Sequence, residues 1–151
     1  KDIEFIVILM CNAPMVLPSV IDDAVETLRN NNNLDSVITV SEYNMFTPIR
    51  ARKIDGDGCL EPMIDLKTFN FKIDSNRQKA HPVYFHDCGA SVVRPKCLEN
   101  ISEGLLPQKW MGKKISPIIQ RGALDIDYKY ELPIAEGWLK ENGFTEEKLP
   151  Y

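Results

Sequence analysis

The feature that most restricts the fold is an uninterrupted apolar run at residues 5–10, followed by a stretch with helical spacing and a second branched run at residues 36–41. Residues 5–10, Phe-Ile-Val-Ile-Leu-Met, have the pattern of a strand covered on both faces, as in a parallel sheet. The run ends in the loop Cys11-Asn12-Ala13-Pro14. Ser19 then offers a helix N-cap with Asp22 in the first turn. Ile21, Ala24, Val25 and Leu28 recur at helical spacing until the asparagines at 30–33 stop the pattern. Strand, helix and strand of these lengths predict a right-handed crossover unit, and with it an α/β chain whose sheet is largely parallel.

Further along, Asp55-Gly56-Asp57-Gly58 is a turn signal between two short strands, while residues 62–76 show no period and read as a surface excursion. A strand is expected within residues 83–93, a short helix over 96–101 and another strand over 115–119 despite Pro117. A closing helix over 133–142 is bracketed by Pro133 and Gly143, with Ile134, Trp138 and Leu139 on its apolar face. With no repeat and no low-complexity linker, all 151 residues are expected to form a single domain.

The formal charge of −4 provides no basic field for counterion release, so nucleic acid is not an expected partner. No apolar stretch approaches the roughly 18 residues of a membrane span, so no membrane partner is expected either. The four cysteines, Cys11, Cys59, Cys88 and Cys97, form no CxxC pair. They are expected to be reduced thiols of a cytoplasmic protein.

The sharpest chemical signal is Asp125-Ile126-Asp127. On an extended backbone, residues two apart share a face, so both carboxylates project together while Ile126 turns to the core. Two hard oxygen ligands side by side suit Mg2+, which keeps several waters and bridges to substrate phosphates. The bland reading of such a short motif is a solvated turn.

Context extends the motif. Residues 8–14 (Ile-Leu-Met-Cys-Asn-Ala-Pro), Ile21-Asp22-Asp23-Ala24, residues 35–41, Asn76-Arg77-Gln78 with Pro82, Gly89-Ala90, and Leu124-Asp125-Ile126-Asp127 followed by Pro133-Ile134-Ala135-Glu136 are set in an order and spacing. In both, the chain resembles the acylneuraminate cytidylyltransferase (CMP-sialate synthetase) family over nearly its whole length. The resemblance implies a three-layer α/β sandwich with a mostly parallel, nucleotide-diphosphosugar-transferase-like sheet, present here in part. It implies transfer of CMP from CTP to an acidic sugar, with Mg2+ required and pyrophosphate released. Asp125 and Asp127 would be the catalytic and metal-holding pair. Asn12 and Ala13 would lie at the nucleotide, Arg77 and Gln78 would face the acidic sugar, and His86 and Gly89 would belong to the sugar pocket. The resemblance also implies a homodimer, with residues 62–76 or the segment around Trp110 reaching toward the partner.

Departures from the family pattern modify these expectations. Ala13 stands where a hydroxyl residue is usual, His86 where arginine is usual, Cys88 where asparagine is usual and Val92 where an aromatic is usual. A neutral histidine holds a carboxylate less firmly than a guanidinium, so the expected substrate is a related nonulosonic or other acidic sugar rather than sialic acid itself. The family opens with a basic, glycine-containing loop that cradles the triphosphate, and no such segment precedes Phe5. The chain is therefore expected to begin inside a larger protein and to be a poor catalyst alone. The competing reading is a catalytically incomplete homologue that binds sugar or nucleotide. A zinc site from His81, His86, Cys88 and Cys97 is poorly spaced, and no nucleophile elbow is present.

Overall fold

A computed structural model describes residues 2–70, 73–74, 76 and 81–148. The chain divides into two compact units, one made of Lys1–Ser41 with His86–Tyr151 and the other of Glu42–Phe85. In chain order the main elements are β1 (Ile6–Ile8), α1 (Pro18–Asn30), β2 (Ser36–Glu42), β3 (Arg52–Ile54), β4 (Leu60–Pro62), β5 (Tyr84–Val93), α2 (Pro95–Glu99), β6 (Ile115–Gln120) and α3 (Leu132–Glu141).

The first unit is built on a four-stranded sheet in the order β1-β5-β2-β6. β1 pairs antiparallel with β5, Val7 opposite Val92, and β2 pairs parallel with β6, Ile38 opposite Pro117. Along β2 and β5 the numbering runs in opposite senses: the Arg94 amide donates to the Asp35 carbonyl, and the Ala90 amide donates to the Thr39 hydroxyl. Only one of the three pairings is therefore parallel, and the expected three-layer sandwich with a mostly parallel sheet does not form. The crossover from β1 through α1 to β2 leaves a gap one strand wide, which β5 fills in the reverse direction. Hydrophobic pattern specifies strands but not their neighbours, so it does not reveal that β5 runs between β1 and β2.

β1 is also shorter than its apolar run. It lies at the edge of the sheet, and Leu9 and Met10 beyond it are exposed. A strand paired on one side only has no second ladder to extend it.

Helix α1 covers one face of this sheet. Ala24 and Leu28 are fully packed with Val37 of β2 and Val92 of β5, and Phe5, Ile21, Val25 and Ile118 close around them. Removing the Leu28 side chain beyond Cβ is worth about 2–5 kcal/mol at such a site. The helix starts differently from the sequence expectation. Leu17 occupies the N-cap without a side-chain bond, Pro18 opens the helix, and no acidic residue stands in the first turn. A proline pre-set for helical φ replaces the expected Ser19 cap. At the other end Arg94 reaches the helix terminus, its guanidinium donating to the carbonyls of Leu28 at 2.6 Å, Asn31 at 3.2 Å and Leu34 at 2.8 Å. These bonds satisfy carbonyls that the helix leaves open.

Because side chains alternate along a strand, Ile38 and Val40 face away from α1. They pack with Met111 and Trp110, from a short 3-10 turn at Lys109–Met111, and with Ile115. A third cluster joins Met15, Ala123 and Ala135 with Leu124, Ile126 and Trp138, and so docks α3 against the segment that follows β6. Helix α3 keeps its expected bracket, with Pro133 in its first turn and Gly143 at φ 79° just past its end.

The second unit contains the expected hairpin. β3 and β4 pair antiparallel with Lys53 opposite Glu61, an ion pair of 3.1 Å, and Gly58 takes φ 80° in the turn. Tyr43, Phe46 and Phe85 form a cluster of tilted and edge-on rings with centroids 6.0–6.5 Å apart.

Candidate active site

With β5 reversed between them, β1, β2 and β6 all point the same way. Their carboxyl ends, and the opening residues of β5 in the first unit, meet at one end of the sheet, the place where open α/β sheets gather ligand-binding loops.

The loop after β1 is tied to the segment after β6. The Asn12 side-chain amide donates to the Asp127 carboxylate at 3.2 Å, and the Ile126 backbone amide donates to the Asn12 carbonyl at 2.8 Å. Leu124 and Ile126 enter the core beneath α3, while Asp125 is half-buried and Asp127 exposed. The Asp127 backbone is fixed from the other side, since a Glu131 carboxylate oxygen accepts from both the Asp127 and Tyr128 amides at 2.8 Å. Ala13, by contrast, is buried, and its amide closes a turn onto the Met10 carbonyl at 3.1 Å.

Across from this pair stands the start of β5. Cys88 has φ 59°, a left-handed conformation unusual for any residue but glycine or asparagine. Burial, followed by the charge of Asp125, a hydrogen bond to Asp125 and the charges of Asp87 and Asp127, pushes its thiol up to about 11, so it stays protonated at neutral pH. His86 lies 3.8 Å from the Cys88 sulfur through Nδ1 and 3.2 Å from the Ser91 hydroxyl through Nε2. Its ring meets Trp110 edge-on at 6.3 Å. Burial lowers the His86 pKa and outweighs the opposing pull of Asp87 and Asp125, so the ring is neutral at pH 7.

Gly89 forms part of the wall of a cavity of about 500 Å3 that Leu9, Met10, Cys11, Ala13 and Pro14 also line. A Cβ on Gly89 would come within 3.0 Å of Thr39 Oγ1 and Gln120 Nε2. The structure thus gathers Asn12, His86, Cys88, Gly89, Asp125 and Asp127 at one end of the first unit. Arg77 and Gln78 lie outside the described residues.

Sequence reasoning missed Asp87 and the donors around it. Asp87 is 3% exposed, and its two carboxylate oxygens accept from Thr39 Oγ1 at 2.5 Å, Ser41 Oγ at 2.8 Å, Gln120 Nε2 at 3.2 Å and the Gly89 amide at 3.2 Å. The signal was present in the strand patterns. Thr39 and Ser41 continue the face of Val37, and Gln120 continues the face of Ile118, so polar groups were headed into a covered layer where each needs a partner.

Among the described residues no set of three or more His, Cys, Asp or Glu side chains is arranged as a metal cage. Asp125 and Asp127 supply carboxylate oxygens, the donor type that Mg2+ takes in proteins, where waters and substrate phosphates complete the shell. No helix among the described residues is long and apolar enough to cross a membrane.

No family model matches the chain, and no curated protein matches it.

Proposed function

We propose that the protein is a nucleotidyltransferase that moves CMP from CTP to an acidic sugar and releases pyrophosphate. The observation that carries this reading is the double tether of Asn12 to the Asp125–Asp127 segment, which sets a pair of carboxylates beside the loop that closes β1. In the reaction, a sugar hydroxyl oxygen attacks the α-phosphorus as its proton passes to water, the bond from that phosphorus to the bridging oxygen breaks, and pyrophosphate leaves with the electron pair. Phosphoryl transfer of this kind depends on alignment and charge stabilisation rather than on a covalent enzyme intermediate. Mg2+ supplies charge neutralisation at the phosphates when bound, and Asp125 and Asp127 are the residues that would hold it.

The chain's own residues also bear on the substrate. His86, neutral at pH 7, offers a hydrogen bond rather than a fixed positive charge, and this favours an acidic sugar held partly through its hydroxyls. Ile54 and Leu60, opposite each other on the hairpin of the second unit, are 71% and 72% exposed, which supports the expected association into a homodimer.

The test is pyrophosphate release from CTP, Mg2+ and a panel of nonulosonic acids. Turnover that requires all three and disappears in Asp127→Ala is the expected result. CTP or sugar binding with no turnover would replace this reading with that of a binding protein, and unchanged turnover in Asp127→Ala would remove the metal role.

A further inference from the structure

Asp87 is the only carboxylate among the described residues that the fold buries to this depth. A buried carboxylate loses its hydration and persists only where donors replace it, and an apolar residue of similar size is often as stable in such a place. Here four donors come from three strands: Thr39 and Ser41 on β2, Gln120 on β6 and the Gly89 amide on β5 itself. The bond from the Gly89 amide to Asp87 Oδ1 closes an Asx-type turn around Cys88, the residue with φ 59°. The same carboxylate therefore bonds the start of β5 to its neighbours and spans the left-handed step of its own backbone.

We propose that Asp87 is a positioning residue of the candidate site: by gripping Thr39, Ser41, Gln120 and the Gly89 amide, it holds the left-handed step at Cys88 and so fixes where Cys88 and His86 stand against Asp125. Its consequence for turnover rests on the nucleotidyltransferase reading, but the geometric claim does not. Asp87 itself need not touch substrate. Asparagine at this position can keep most of the grip, its oxygen accepting from Thr39 and Gly89 while its amide donates to Ser41 and to a turned Gln120. Alanine keeps none of it.

The test uses the full chain carrying Cys11→Ser and Cys59→Ser, which leaves Cys88 at the left-handed step and Cys97 buried in the core as the reporters. Iodoacetamide labelling of each thiol is followed by peptide mass spectrometry at one fixed pH. Asp87→Ala is expected to speed labelling of Cys88 by about tenfold or more, the scale of one lost buried hydrogen bond, with Cys97 unchanged. Asp87→Asn is expected to stay within about threefold of the parent, well inside that scale. An unchanged Cys88 rate in Asp87→Ala would overturn the proposal, and so would a parallel rise at Cys97, because Asp87 would then merely hold the core. In the pyrophosphate assay, Asp87→Ala is expected to lower kcat about tenfold with little change in KM for CTP, and Asp87→Asn to recover most of it. A parent protein without turnover would sink the functional reading and leave the thiol comparison to decide the positioning claim.

Discussion

The side-chain amide of Asn12 donates to the Asp127 carboxylate at 3.2 Å, joining positions 115 residues apart in the chain. Because the backbone bond between Ile126 and Asn12 remains when the side chain is removed, Asn12→Ala tests orientation rather than folding. The bond is exposed, so stability should fall by less than about 1 kcal/mol. Turnover should fall roughly tenfold as Asp127 loses its fixed rotamer, read as pyrophosphate release alongside thermal unfolding.

Cys88 pays a conformational penalty at φ 59° that asparagine largely avoids. Cys88→Asn should therefore raise stability by about 0.5–1 kcal/mol, and Cys88→Val, with its branched Cβ, should lower it by about 2 kcal/mol. Urea midpoints of the two variants should move in opposite directions. Equal midpoints would mean that the left-handed step relaxes at little cost.

Asp35 makes the fold sensitive to acid at one point. Burial works against its charge, but the Lys96 ammonium at 2.7 Å and the Lys114 and Lys113 amides at 2.9 Å outweigh it and hold the carboxyl to about 2. Since the folded value lies below the unfolded one, the contribution is complete above about pH 4 and is lost as pH falls through 2. It should amount to something on the order of 1 kcal/mol, allowing for screening by solvent. Denaturant titrations from pH 5 down to 2 should show this loss in the parent and a flatter profile in Asp35→Asn.

Two glycines should respond in opposite ways to a methyl group. Gly137 lies within α3 with open space around its Cα, so Gly137→Ala should stabilise by about 0.5–1 kcal/mol. A Cβ on Gly104 would fall 1.7 Å from the Lys109 carbonyl oxygen, a backbone atom that cannot swing aside. Gly104→Ala should cost about 3 kcal/mol or more, as overpacking against a fixed neighbour does. Thermal midpoints of the pair provide the comparison.

What could be read from the amino-acid order was local. The run at residues 36–41 that forms most of β2, the turn at residues 55–58 and the proline and glycine that bracket α3 follow from side-chain period and backbone preference, which act over a few residues. The alternation at residues 125–127 was legible for the same reason: Ile126 packs toward the core while Asp127 beside it is exposed. The reversal of β5 between β1 and β2 was not legible, because pairing partners are settled by tertiary contacts. Nor was the role of Arg94 as a cap for α1, since its carbonyl partners lie about 60 residues earlier in the chain. Asp87 fell between these cases. Its donors, Thr39, Ser41 and Gln120, each broke an apolar face visibly, but nothing local said that they break it toward one another.

The two rims of the sheet are unequally guarded. β6 carries Pro117, which has no amide hydrogen to offer a newcomer, whereas β1 ends the sheet on the opposite side without a proline and with Val7 open to solvent. Pairing by a further strand is thus obstructed along one border and, among the described residues, left open along Ile6–Ile8 of the other.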